Sequence, residues 1–253
     1  MADGFTYLEA MYHLCHKILE YVTNDSSSPS QPSFNQIISN SIDVESIRQQ
    51  VSPALRIKEA CKTVQDRLQY YALRLHTSFV VSALCRPALR RGESPGMDLG
   101  QKAILAEKCK QNLTETVRMY LKMHALSVIP TRSWAFTYHS LSSAVLLGIL
   151  GETKTDPEVR QLQGNLISAL SATAAKEKDS SDVPGSDKDI ELSGPLSRAL
   201  AALKNIYDHG WVVEGHSIVP AEPQPLPERD QTEYEHQNAA MAMASMQNGI
   251  IPP

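Results

Sequence analysis

His13 and His16 stand one helical turn apart with Cys15 between them, a spacing at which imidazoles and a thiolate can share a metal ion. No third and fourth ligand at matching spacing is found elsewhere in the sequence, so the expectation is a helix edge with partly exposed histidines. His76 falls near the apolar side of a long helical pattern and is expected as a satisfied core histidine. Arg86 follows that apolar stripe directly and cannot lose its charge. It is expected either to close the helix C-terminus, where the dipole favours a cation, or to meet a buried carboxylate. Arg132 beside Trp134 is in reach of a cation–π contact, although a surface arginine near a helix start is the commoner case. Ser142 and Ser143 are expected as small packing residues. There is no glycine-rich phosphate loop, no nucleophile elbow, no paired Glu-x-x-His set and no aspartate-rich metal motif. The expectation is therefore a protein that is not an enzyme, with no catalytic, cofactor-binding or metal-binding residue.

These residues must be held by a chain of 253 residues, of which 42% are hydrophobic and 21% charged. That is an ordinary globular composition with enough length for a sizeable core. A formal net charge of −4 argues against a free-standing grip on nucleic acid, which wants a basic surface. The four cysteines, Cys15, Cys61, Cys85 and Cys109, include no Cys-x-x-Cys, and each lies on an apolar helical stripe. They are expected as small core residues in a reducing compartment. The N-terminus lacks the basic stretch and apolar run of a signal peptide. The uncharged stretch 133–151 is broken by serines, a threonine and a histidine, so a buried helix is expected there and no membrane span.

The elements read as helices and linkers. Leu8, Met11, Tyr12, Cys15, Ile18, Leu19 and Val22 recur at three-and-four spacing, and Thr6 with Glu9 can form a capping box. An N-terminal helix is expected over residues 1–22 and a polar linker over 23–42, where serine and proline are dense. A helical core is expected over 43–210. Within it one long helix runs from Pro53 to Cys85 and ends at Arg86, since Pro87 disfavours helical geometry before it. Asp98 is placed to cap the next helix, Trp134 opens a further one that Gly151 ends, and Asp156-Pro157 starts another. A second polar linker is expected at 176–191. Residues 211–253 are acidic and proline-rich, and are expected to form a disordered tail. No segment alternates with period two. The fold class expected is all-α, an irregular multi-helix domain with a disordered acidic C-terminal tail.

The run Leu73-Arg74-Leu75-His76-Thr77-Ser78-Phe79-Val80-Val81-Ser82-Ala83-Leu84-Cys85-Arg86-Pro87-Ala88-Leu89 resembles a signature of the regulatory domain of fungal zinc-cluster transcription factors, the middle homology region. There a leucine-rich helix carrying a His or Tyr leads into an Arg-Pro-x-Leu step. The Cys109 helix and the aromatic-led helix from Trp134 are similar to the family elements that follow. Val51-Ser52-Pro53-Ala54-Leu55 resembles the preceding step, with Ser-Pro where Leu-Pro is usual. The likeness covers roughly residues 5–150. It marks His76, Arg86, Pro87, Cys109 and Trp134 as signature or regulatory residues.

The resemblance implies an all-α regulatory domain that controls RNA polymerase II transcription in the nucleus, with shuttling to the cytoplasm. It implies protein partners of the transcription machinery, a homodimer, a small-molecule effector, and DNA only indirectly. In the family, zinc belongs to a separate module of six cysteines. The four cysteines here cannot build it, so no cofactor is expected in these residues. Two other functions compete: a helical adaptor unrelated to transcription and, less favoured, a helical enzyme of secondary metabolism.

Overall fold

The computed structural model describes residues 4–27, 32–89, 97–127, 130, 133–179 and 194–210. The described chain is all-α, as the periodicity predicts, with a single isolated bridge between Phe5 and Val51 in place of any sheet. Its helices are α1 (Tyr7–Ser27), α2 (Phe34–Gln50), α3 (Pro53–Arg56), α4 (Val64–Cys85), α5 (Leu99–Leu126), α6 (Trp134–Ile149), α7 (Glu152–Thr155), α8 (Pro157–Asp179) and α9 (Gly194–His209). Two compact units divide the chain, Met1–Ser143 and Ala144–Pro253, with the boundary inside α6. The predicted tail at 211–253, and all but the first residues of the linker at 176–191, lie outside the described residues.

The first unit is built around α4 and α5, which pack along each other, with α2 and α1 against α4. Capping chemistry sets the starts. Thr6 and Glu9 bond reciprocally before α1, as expected, at 2.8 Å and 3.3 Å. Asp98 caps α5 in a box with Gln101. Leu73, Leu75, Leu105, Cys109, Leu113, Val117 and Tyr120 fill the interior. The segment before α1 docks through Phe5 N–H to Gln50 O and Ser52 N–H to Phe5 O. Gly4 has φ +116°, and a Cβ there would lie 2.6 Å from the Val51 carbonyl carbon, so only glycine fits.

Three sequence expectations change. The linker over 23–42 is largely helix: α1 runs on to Ser27, and α2 starts at Phe34 on a Ser33–Gln36 capping box. Its serines and asparagine hide Ile37, Val44 and Ile47, which are buried. The long helix from Pro53 is broken. After α3 a 3₁₀ turn (Lys58–Ala60) intervenes, and α4 starts afresh where Thr63 and Asp66 form a capping box. That box satisfies N–H groups a continuous helix would have bonded internally, and it leaves Ile57 and Val64 exposed. Third, α1 turns the other way. Ala10 and Leu14 are buried, whereas Leu8, Tyr12, Cys15, Leu19 and Val22 are exposed, Leu8 at 78%. The helix is apolar on two faces, and the face with small Ala10 takes the close approach. Tyr21 anchors it by donating its hydroxyl to the Asn40 carbonyl. Cys15 is thus not a core cysteine; Cys61, Cys85 and Cys109 are.

In the second unit α8 and α9 pack together. Asp156 Oδ1 accepts from the Glu158 and Val159 N–H groups at the start of α8, as the Asp-Pro signal predicts. Gly151, at φ +88°, ends α6. Gln163 donates to the Ala144 carbonyl at 2.8 Å in the interior. Arg160 covers the Tyr207 ring at 4.3 Å and donates to its carbonyl.

Candidate functional site

Helical spacing puts His76, Phe79 and Arg86 on one face of α4, at intervals of three and seven residues. The start of α6 faces them with Phe136, Tyr138 and His139. The two histidines meet Nδ1 to Nδ1 at 3.2 Å, so one ring donates and the other accepts. Phe136 lies 5.0 Å from the His76 ring. Phe79 stacks on His139 with centroids 3.8 Å apart. Arg86 also lies against Phe79, its guanidinium carbon 5.3 Å from the ring centroid. Tyr138 is 6.2 Å from Phe79 and stacks in turn on Trp134 at 4.8 Å and an interplanar angle of 8°. Trp134 is 58% exposed, so the aromatic series leads from the surface to the cation.

Burial dominates the electrostatics. It pulls the His76 ring down to about 4 and the His139 ring to about 3, the latter helped by His76 and Arg86. Both are neutral at pH 7. Burial also lowers Arg86, while the Cys109 and Tyr138 groups act to raise it. Arg86 Nε and Nη2 are buried without a hydrogen-bond partner. Neighbouring Cys85 and Cys109 are pushed up to about 11 and about 12 by burial, which keeps them as neutral thiols. Cys109 donates to the Ser82 carbonyl at 3.3 Å.

Four of the five residues singled out in the sequence therefore lie in or beside one cluster along the C-terminal half of α4. His76 and Arg86 are in the cluster, Trp134 ends its aromatic series, and Cys109 sits behind Arg86. Pro87 stands in the 3₁₀ turn Arg86–Leu89 that follows α4. One expectation for Arg86 is corrected: among the described residues no carboxylate meets its guanidinium. Its backbone does close the helix, donating to the Ala83 carbonyl. His76 is satisfied as expected, but by a second histidine. His139, Phe79 and Tyr138 were not singled out. The available signal was a lone imidazole in the uncharged helix α6, which needs a polar partner if buried.

His13 and His16 hold no shared site. His13 stacks on Phe5 at 4.4 Å and His16 lies 3.8 Å from Glu20. Among the described residues no group of three or more His, Cys, Asp or Glu is placed to hold a metal ion. Ser142 bonds the Tyr138 carbonyl inside its own helix, in keeping with a packing role. Arg132 lies outside the described residues. No helix among the described residues is long and apolar enough to cross a membrane. In the second unit a shallow groove is lined by Gln161, Gly164, Asn165, Ser168, Lys204 and Tyr207, without convergent shifted groups.

No family model, no curated protein and no solved structure matches this chain.

Proposed function

We propose that the chain is the helical regulatory domain of a fungal-specific transcription factor, controlling RNA polymerase II transcription through contacts with protein partners or an effector. The observation that carries the reading is the run from Leu73 to Leu89. Its apolar residues Leu73 and Leu75 are core, while its His76 meets His139 of α6 and its Arg86 lies over Phe79 of α4. A signature of that composition is what a domain needs when one helix must both hold the core and present a control point. The protein would act in the nucleus, shuttling with the cytoplasm, and reach DNA only through partners. A homodimer fits this role.

A helical adaptor without a link to transcription is the second reading. The exposed apolar stripe of α1, Leu8, Tyr12, Leu19 and Val22, favours it, since such a face suits a partner helix. Enzyme chemistry is weakly supported. Histidines at about 4 and about 3 are poorly matched to proton transfer at neutral pH.

The test is to fuse the full chain to a heterologous DNA-binding module upstream of a reporter in a fungal host. A change in reporter output of about threefold or more, up or down, relative to the module alone is the expected result, corresponding to under 1 kcal/mol. Output equal to that of the module alone, with the fusion present at the same level, would remove the transcriptional reading and leave the adaptor.

A further inference from the structure

We infer that Arg86, with the aromatic rings beside it, binds the carboxylate of a small aromatic acid. The two nitrogens without a partner are Nε and Nη2. Their N–H bonds run parallel along one edge of the guanidinium, the fork that matches the two oxygens of a carboxylate. A carboxylate arriving there replaces no existing hydrogen bond. The side chain as a whole is half-buried, and these two nitrogens are themselves buried.

The surroundings select the rest of the ligand. Phe79 lies beside the guanidinium, His139 stacks on Phe79, Tyr138 meets Phe79 edge-on and Trp134 stacks on Tyr138. A planar ring attached to the carboxylate fits beside such rings by stacking. One histidine N–H is taken up by the partner histidine, and Arg86 carries the two nitrogens without a partner. One negative charge balances one cation. Among the described residues the other groups that act on Arg86 are Cys109 and Tyr138, and neither is a cation. A doubly charged phosphate would therefore find no second counter-charge among the described residues. The inference gives the effector contact of the proposed regulatory role a chemical class. It rests on that reading only for its meaning in the cell; binding is measured without transcription, so either can fail alone.

The experiment titrates the full chain with trans-cinnamate at fixed ionic strength, by calorimetry and by thermal unfolding. Cinnamamide, acetate and inorganic phosphate serve as comparators. Cinnamate should bind saturably and raise the unfolding midpoint, while the other three bind at least about tenfold more weakly. Arg86→Met should weaken cinnamate binding by about tenfold or more. Arg74→Met should leave it within about twofold; Arg74 stacks on Tyr70 at 4.5 Å, away from the cluster. If Arg86→Met does not fold, the decision falls to fluorescence. Cinnamate should quench Trp134, cinnamamide should not, and Trp134→Phe should abolish the effect. No saturable binding of cinnamate, equal binding of cinnamamide or phosphate, or undiminished binding to Arg86→Met would overturn the inference.

Discussion

Lowering the pH from 7 to 5 is expected to destabilise the first unit by about 2–4 kcal/mol. The cause is the His76–His139 pair, which folding holds neutral with ring values of about 4 and about 3. In the unfolded chain each imidazole returns to about 6.5. Above 6.5 neither state is protonated and the pair contributes nothing to the pH dependence. Below it the unfolded state takes up protons that the folded state refuses, so stability falls by about 1.4 kcal/mol per pH unit for each ring. The loss continues until the folded rings titrate, near pH 4 and then pH 3. Both rings are half-buried, which places the effect in the lower part of that range. Arg86 is the charge that faces His139, and its positive sign reinforces the refusal. The exposed carboxylates lowered by helix-start or lysine contacts, Glu9, Glu20 and Asp66, titrate below this window. Denaturant midpoints at pH 7, 6 and 5 check the slope. A double variant, His76→Asn with His139→Asn, keeps a donor–acceptor pair that does not titrate and should be flat over the same interval. A wild-type chain that is equally stable at pH 7 and pH 5 would show that the rings are not held neutral.

Leu75→Ala should cost about 2–5 kcal/mol, whereas Leu19→Ala should stay within about 0.5 kcal/mol. Leu75 is 0% exposed in the middle of α4. Truncation removes its buried methyl groups and leaves a cavity that two long helices cannot close. Leu19 is 64% exposed on α1, so its loss deletes contact with water. Both leucines belong to apolar stripes at three-and-four spacing in the sequence, and chemical denaturation of the two variants separates them. A cost for Leu19→Ala comparable to that of Leu75→Ala would show that the outer stripe of α1 is covered in solution.

That pair also marks where sequence legibility stops. Helix existence was legible wherever caps and periodicity agreed, as at Asp98, Gly151 and Asp156, because those signals are local. The facing of α1 was not, because two apolar stripes coexist and the choice is made by what α2 and α4 offer in return. Helix α2 was hidden by a serine- and asparagine-rich composition that suits linkers equally well; its Ser33–Gln36 box is the cue that distinguishes it. The break between Ile57 and Thr63 depended on whether Thr63–Asp66 would win over helix continuation, a balance of about 1 kcal/mol. At the site, the residues of α4 were legible from their own helix. Their partners on α6 were not, since Phe136, Tyr138 and His139 reach them only through tertiary packing.

The state of Arg86 is where the chemistry of the cluster is decided. A half-buried guanidinium with two orphaned nitrogens carries a desolvation cost of several kcal/mol that no described carboxylate offsets. Its cation–π contact with Phe79 returns up to about 2 kcal/mol, and its place at the C-terminus of α4 up to about 1 kcal/mol. The cost is the larger quantity, so Arg86→Met, which keeps the length of the stem, should raise the stability of the unliganded chain by about 1–2 kcal/mol. A paired structural arginine would behave oppositely, losing about 3–5 kcal/mol on removal. The direct measurement is equilibrium denaturation of the two chains side by side at pH 7. A higher midpoint for Arg86→Met is the expected result and identifies Arg86 as a residue kept for binding. A lower midpoint would contradict it and make Arg86 part of the scaffold.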